Sequence, residues 1–531
     1  MTDAQTGTPK MWDRMADLTL GWKGRGLAFL LGVTSSLGMA PLFWWPLTLL
    51  AFAMFMALLV QTKTNKRAFG LGWFFGFGHF VISLSWLPMA FNFQAEMPAS
   101  LGWVALALLS MLMGFYPALA SLAAKRIAGK KLLPFIMAFA GSWSLAEWLR
   151  ANLFTGFAWN PLAEVALPMV YAFPARLVGT YGLSALLLLI AGALLLLARR
   201  KYRDAAIAAI LPVLLLLLSV GSYKDYFAGP PAGRGVNATL VQPNIGQDAK
   251  WETAVIETNF AKLAGLSKPE NNQPRLLLWT EAAFPDYLEE GYPEEYYRIP
   301  PSMQRQRVSA LLGPQDVLLT GALKLEIDDK NEAVGARNSI YAMDAKGTLL
   351  GRYDKSHLVP FGEYLPLRPI LEPIGLSRLV PGAIDFFPGE GPQTLVVPSF
   401  GKAGLLICYE MIFSGNVADR NNRPDYLFSP SNDAWFGGWG APQHHAQARL
   451  RAIEEGLSIA RVTPTGISSV IDADGRTVAS IAQGQASAVT VEIPPSRAAT
   501  LFARFGNVIP LLFGLILVLG GFGLARKRTS R

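Results

Sequence analysis

The sequence predicts a polytopic α-helical membrane domain joined to a large α/β domain, and three observations carry that reading. Charged residues make up 16% of the chain and hydrophobic residues 52%, against roughly a quarter charged in an ordinary soluble domain. The deficit is uneven: about the first two hundred residues and about the last thirty are apolar, while 235–498 has ordinary globular composition. Within that middle stretch, short β-rich runs bounded by turn residues alternate with helical stretches. The expected domains are therefore 1–234 with seven membrane helices, 235–498, and 499–531 with a last membrane helix and a basic tail.

Crossing a bilayer takes about 20 mostly apolar residues, because backbone polar groups cannot be left unsatisfied in lipid. About eight segments qualify: 26–40 (short and Gly-rich), 43–60, 69–90, 101–124, 132–149, 181–198, 205–222 and 508–524. Basic clusters follow every second one. Lys63, Lys66 and Arg67 follow the second, and Lys125, Arg126, Lys130 and Lys131 the fourth. Arg199, Arg200, Lys201 and Arg203 follow the sixth, and Arg526, Lys527, Arg528 and Arg531 the eighth. The loop at 91–100, after the third, has neither Lys nor Arg. Positive charge gathers on the cytoplasmic side, so both termini are expected in the cytoplasm and 235–498 outside. Topology thus accounts for the net charge of +9, and nucleic acid is not an expected partner. The polar N-terminus leads straight into this region, with no cleavable signal pattern. The connection at 154–174 is apolar and aromatic; it suits either the headgroup interface or a re-entrant packing element.

In the α/β part, strands are expected at 238–242, 275–279, 317–323, 339–344, 403–407, 426–429 and 467–472, with hairpin turns at Lys346-Gly347 and Asp474-Gly475. Helices are expected at 253–266, 302–312 and 444–457. The polar residues with chemical potential stand just after strands: Glu281, Cys408, and Asn432 with Asp433, with Lys355 in a Pro/Gly-containing loop. Ligands in α/β sheets sit outside the carboxyl ends of strands. A lone cysteine excludes an intrachain disulfide and by itself reads as a small buried hydrophobe. At a strand end beside a carboxylate and a lysine it reads instead as a nucleophile. Glu281 can take the thiol proton, and Lys355 can favour the thiolate and stabilise an oxyanion.

Three blocks give this constellation a family. Trp279-Thr280-Glu281-Ala282-Ala283-Phe284-Pro285, Tyr353-Asp354-Lys355-Ser356-His357-Leu358-Val359-Pro360-Phe361-Gly362-Glu363 and Ile407-Cys408-Tyr409-Glu410 resemble the catalytic blocks of the nitrilase superfamily. Its fold is a four-layer α-β-β-α sandwich. The lysine block and Ser431-Asn432-Asp433-Ala434-Trp435-Phe436-Gly437 resemble most the membrane-bound branch, the apolipoprotein N-acyltransferases. The likeness covers essentially the whole chain, with one small departure: Trp-Thr-Glu stands where Trp-Pro-Glu is common. It implies Glu281 as general base, Lys355 as its charged partner and Cys408 as nucleophile. Glu363 and Glu410 would be supporting carboxylates, and Trp251 would stand near a substrate entrance. Asn338, Tyr409, Asn432 and Trp435 are further candidates for ordering the site or binding substrate.

The same resemblance implies a ping-pong acyl transfer in the bacterial inner membrane, with the catalytic domain periplasmic. A phospholipid would be the acyl donor and a diacylglyceryl-apolipoprotein the acceptor, handled by a monomer without cofactor or metal. Water exclusion by apolar loops at 154–161 and 435–439 is part of that expectation. No His or Cys spacing matches a zinc site. Three rival readings stay open at this point: a Cys-His hydrolase using His444 or His445, an amidase merely tethered to the membrane, and a transporter with a binding domain. The transporter reading has only Glu147 and Arg150 as charged groups to draw on.

Overall fold

A computed structural model describes residues 21–93, 98–219, 235–247, 250, 252–374 and 385–527. The described residues fall into two compact units. One comprises those within Met1–Ser85, Val104–Val220 and Asn507–Arg531, the other those within Trp86–Trp103 and Gly221–Gly506.

The first unit is helical. Its helices are Gly21–Ser36, Trp45–Gln61, Asn65–Ser83, Leu101–Met113 leading into Phe115–Ala128, Leu132–Asn152, Ala175–Ala198, Tyr202–Ser219 and Val508–Lys527. By length and apolarity, Leu101–Ala128, Leu132–Asn152, Ala175–Ala198, Tyr202–Ser219 and Val508–Lys527 can cross a bilayer. A sixth span results if Asn65–Ser83 and Leu87–Phe93, bent by 50°, count as one broken helix. Trp45–Gln61 has 17 residues and Gly21–Ser36 has 16, so the first two expected segments are helical but short. Residues 220–222 of the seventh expected segment, and Arg528 and Arg531 of the basic tail, lie outside the described residues.

Helix contact in this unit depends on absent side chains. A Cβ at Gly32 would stand 2.0 Å from the Phe75 carbonyl oxygen, and one at Gly78 would stand 2.1 Å from that of Phe29. Helices Gly21–Ser36 and Asn65–Ser83 therefore meet backbone to backbone, as small residues allow in lipid.

The connection after Leu132–Asn152 resolves into a packing element. Residues 158–167 are buried, with Trp159 fully so, while Phe154 is exposed. Its backbone finds partners on the helices. Arg150 donates to the carbonyls of Phe157 (3.1 Å) and Trp159 (2.6 Å), Glu147 accepts from the Leu162 N–H (2.8 Å), and the Ser184 hydroxyl accepts from the Ala163 N–H (3.0 Å). Glu164 in turn accepts from the Ala40 N–H at 3.0 Å. Glu147 and Arg150 thus serve irregular backbone inside an apolar unit, where each unsatisfied group would be costly.

The second unit is built on two six-stranded sheets. The strands are β1 (Val236–Gln242), β2 (Leu276–Leu278), β3 (Val317–Ile327), β4 (Ala333–Asp344), β5 (Leu349–Asp354), β6 (Gln393–Val397), β7 (Gly401–Leu405), β8 (Tyr426–Pro430), β9 (Ile459–Val462), β10 (Ser468–Ile471), β11 (Thr477–Ile481) and β12 (Ser487–Ile493). One sheet has the order β12-β1-β2-β3-β4-β5 and the other β11-β10-β9-β8-β7-β6. Each has a parallel core, β1-β2-β3 and β7-β8-β9, with antiparallel strands outside it.

The sheets meet through β1 and β12 against β9, β10 and β11. Leu263 of helix Ile256–Leu266 and Val308 of helix Pro301–Ser309 pack with Leu277, Trp279 and Leu318 on the outer face of the first sheet. Ala448 and Ala452 of helix Gly437–Glu455 pack with Leu427 and Ile459 on that of the second. The result is the four-layer α-β-β-α sandwich. The expected hairpins lie at Gly347 (φ 79°), between β4 and β5, and Gly475 (φ 77°), between β10 and β11. Strands β5, β6, β9, β11 and β12 add to those expected from the sequence. β9 has four residues and carries a charge, Arg461, within it.

Gln242 at the end of β1 joins the sheets. Its Oε1 accepts from the Ser468 N–H (3.1 Å) and hydroxyl (2.6 Å), and its Nε2 donates to the carbonyls of Ala482 (2.8 Å) and Gln485 (2.9 Å). Just beyond β2 the chain stays beside β3: the Gly321 N–H donates to the Thr280 carbonyl (3.1 Å), and the Ala283 N–H to that of Gly321 (2.8 Å). Gly321 permits this, since a Cβ there would lie 2.4 Å from the Ala282 nitrogen. Gly321→Val is expected to cost about 1–3 kcal/mol through overpacking, read as a lower thermal midpoint. Gly265→Ala, whose Cβ would meet nothing within 4 Å, should hold or slightly raise it.

Candidate active site

The carboxyl ends of the two parallel cores bring Glu281, Lys355 and Cys408 into one buried place. Glu281 follows β2 on the loop clamped to β3. Its Oε1 accepts from the Asn338 side-chain amide at 2.7 Å, and its buried Oε2 has no hydrogen-bond partner among the described residues. Asn338 projects from β4, and its backbone carbonyl takes the Lys355 N–H at 2.8 Å. Lys355, the residue after β5, lies with Nζ 2.9 Å from Glu363 Oε1 and 3.9 Å from Glu281 Oε1. Glu363 is held by the Val359 N–H (2.8 Å) and also receives the Asn338 amide (3.3 Å).

Cys408 stands in the turn after β7 with φ 51° and is 5% exposed. Few residues other than glycine adopt that backbone. Glu410 fixes the turn from one side. Its Oε2 accepts from the Ile407 N–H (2.6 Å), and its Oε1 accepts from the Tyr353 hydroxyl (2.8 Å), the Ser356 N–H (2.7 Å) and hydroxyl (2.6 Å), and the His357 N–H (3.1 Å). One carboxylate therefore ties the nucleophile's turn to the lysine loop. Ser431 and the Asn432 N–H, after β8, lie beside the thiol and favour its charged form. The Asn432 side chain reaches Gln247 Oε1 at 2.6 Å.

Other sequence candidates sit further out. Tyr409 is buried, edge-on to Phe413 at 5.1 Å. Trp435 packs edge-on against Phe93 at 5.4 Å, and its neighbour Phe436 against Trp86 at 5.0 Å. The aromatic flank of 435–439 therefore meets the segment after Asn65–Ser83, which belongs to the same unit. Trp251 lies outside the described residues. His444 turns Nε2 to the Cys408 backbone carbonyl (3.1 Å), not to the sulfur. His445 reaches Thr477 at 3.4 Å. Neither ring is placed as a base for the thiol, which removes the geometry a Cys-His hydrolase requires.

Residues 31–193 match the family model of the apolipoprotein N-acyltransferase N-terminal domain, and 237–501 that of carbon-nitrogen hydrolase. An apolipoprotein N-acyltransferase of Rhodopseudomonas palustris is 34% identical over an alignment that covers 96% of each chain. One of Bradyrhizobium diazoefficiens is 34% identical, covering 97% of each. The chain belongs to the apolipoprotein N-acyltransferase family. Among solved structures, a Nesterenkonia amidase from the nitrilase superfamily aligns at 16% identity with a TM-score of 0.33, covering 50% of this chain and 93% of that one.

The electrostatics of this N-acyltransferase site follow from burial. Burial and the Glu281 carboxylate push the Cys408 thiol up to about 12, against the pull of Lys355, Ser431 and Asn432. Burial works against the charge of Lys355, but Glu363, then Glu281 and Cys408, hold its ammonium above its ordinary value. A second cation, Lys250, escaped sequence reasoning although it adjoins Trp251. Its Nζ donates to the Glu281 carbonyl at 2.9 Å, and burial brings it down to about 8 despite Glu281 and Cys408. Ser431 belongs to the Ser431–Gly437 block, and only the fold reveals that β8 ends beside β7.

These charges predict how Cys408 reacts with a small alkylating reagent. Its rate should keep rising with pH and reach no plateau below pH 10. Glu281→Gln, which removes the adjacent negative charge, should shift the rise to lower pH, and Lys355→Met should shift it higher. Iodoacetamide labelling followed by peptide mass spectrometry across pH 6–10 measures all three.

Proposed function

We propose that this enzyme moves an acyl chain from a phospholipid to the amino terminus of a diacylglyceryl-apolipoprotein through a thioester on Cys408. The observation that carries the reading is a buried thiol grouped with a carboxylate, whose second oxygen has no partner among the described residues, and a buried lysine. Glu281 accepts the thiol proton as sulfur bonds to the ester carbonyl carbon. Lys355 stabilises the oxyanion that forms. The intermediate collapses with cleavage of the carbon–oxygen bond, and the proton held by Glu281 passes to the departing lysophospholipid oxygen. The free α-amino group of the acceptor then attacks the thioester; its proton returns through Glu281 to the sulfur as the amide forms. In this scheme Glu363 orients Lys355 and Glu410 holds the nucleophile's turn. Asn338 aligns Glu281, and the Asn432 backbone supports the thiol. Trp435 borders the substrate approach, with Tyr409 beside the nucleophile; the likeness to the family assigns Trp251 to substrate binding as well.

The family works in the bacterial inner membrane, and both substrates are anchored there. A catalytic thiol beside the bilayer meets them without drawing whole lipids into water. We place both termini in the cytoplasm and the catalytic domain in the periplasm, from the alternation of basic clusters. The enzyme acts as a monomer without cofactor.

Purified protein mixed in detergent with a phospholipid of defined chains should gain the mass of one acyl group. The gain should be labile to hydroxylamine and absent in Cys408→Ala; folded wild-type protein that never gains it would sink the thioester reading. For orientation, Lys268→Cys in a Cys408→Ala background should react with a membrane-impermeant maleimide applied to intact spheroplasts. Protection until the cells are lysed would reverse the topology.

A further inference from the structure

A cysteine at φ 51° is an unusual foundation for a nucleophile. Left-handed backbone at a residue other than glycine costs on the order of 1–3 kcal/mol and persists only where its surroundings over-determine it. Glu410 fixes the peptide entering Ile407, one residue before the nucleophile, through the Ile407 N–H. The peptide leaving Cys408 begins with the carbonyl that faces His444 Nε2 at 3.1 Å.

The hydrogen-bond chemistry around this ring selects one tautomer. A carbonyl oxygen only accepts, so Nε2 must carry the proton. On the other side, Arg461 Nη2 lies 2.9 Å from Nδ1, and a guanidinium only donates, so Nδ1 accepts. Asp433 Oδ1 (3.3 Å) and the Ser431 hydroxyl (3.4 Å) also approach Nδ1, which superficially suggests a Cys-His-Asp triad. In such a triad Nδ1 would donate to Asp433, and the Nε2 lone pair would face the Cys408 carbonyl lone pair. That arrangement is repulsive. Asp433 is already satisfied by Arg461, with 2.6 Å to each oxygen, and the Ser431 hydroxyl donates to Oδ1 at 2.9 Å. His444, Asp433 and Arg461 are all fully buried. Burial and the Arg461 charge hold His444 below its ordinary pKa, against the pull of Asp433.

We infer that His444 is a positioning residue: its neutral ring, set in the Nε2–H tautomer by Arg461, holds the Cys408 carbonyl and so the left-handed turn that aims the thiol. This rests on the acyl-transfer reading for its rate measurement but not for its chemistry, because the aim of a thiol can be read without an acyl donor.

The test compares His444→Gln, whose amide can still donate to the carbonyl, with His444→Leu and the shorter His444→Asn, which cannot. In full-length protein, single-turnover acylation by a defined phospholipid should fall roughly ten- to hundredfold in the Leu and Asn variants, the scale of an ångström-sized misplacement. The lipid concentration giving half-maximal rate should stay unchanged, and His444→Gln should recover to within about threefold of wild type. Iodoacetamide labelling of Cys408 should separate the variants in the same order, even if no acyl adduct ever forms on wild type. Should the Leu variant not fold, the Gln and Asn pair decides. Equal rates in Gln and Asn, or wild-type rates in folded Leu, would overturn the inference.

Discussion

Two buried carboxylates and a thiol share the ammonium of Lys355, and much of the catalytic domain serves to keep that balance. Buried charge is tolerated only when paired and hydrogen-bonded. Lys355 has Glu363 at 2.9 Å and Glu281 at 3.9 Å, and Asn338 donates to both carboxylates. With two negative charges against one positive there, the thiol has good reason to remain protonated until substrate arrives. Lys250 at the Glu281 carbonyl adds positive charge on the other side.

In the membrane unit the governing constraint is the backbone rather than charge. Irregular chain within apolar surroundings must find partners for every N–H and C=O, and the buried polar residues of the helices supply them for the element at 156–167. The same constraint explains why Glu147 and Arg150 give no support to a transport pathway. Both are committed to that element's backbone. Asn160, at its tip, donates to the Ser83 carbonyl at 2.9 Å.

How much of this was legible in the sequence depends on how local each feature is. The membrane helices announce themselves through long apolar runs, and Glu281, Lys355 and Cys408 through blocks that keep their chemistry in order. Helix limits were harder: the break after Ser83, with its 50° bend, sits inside one continuous apolar segment. Strand β9 was hidden because Arg461 interrupts its apolar run, and that arginine makes sense only when Asp433, from another loop, is seen against it. β12 pairs with β1 across some 250 residues of sequence, a distance that no local pattern reports. Ser431, Lys250 and the His444 ring likewise gain meaning only from the strand order of the second sheet.

Glu281 and Cys408 come from different sheets, and this has a physical consequence. Glu281 ends β2 in the first sheet and Cys408 ends β7 in the second, so their meeting depends on intersheet packing rather than on either half alone. Gln242 is the polar staple there, spending both ends of its amide across the interface. Both catalytic turns also use left-handed backbone, at Ala282 (φ 44°) and Cys408 (φ 51°). Gly321 and Lys250, remote in sequence, hold the first; Glu410, two residues on, and the remote His444 hold the second. Strain held in this way converts the stability of the sandwich into the aim of two side chains. The precision of the site is therefore a property of the whole domain and not of the three residues that react.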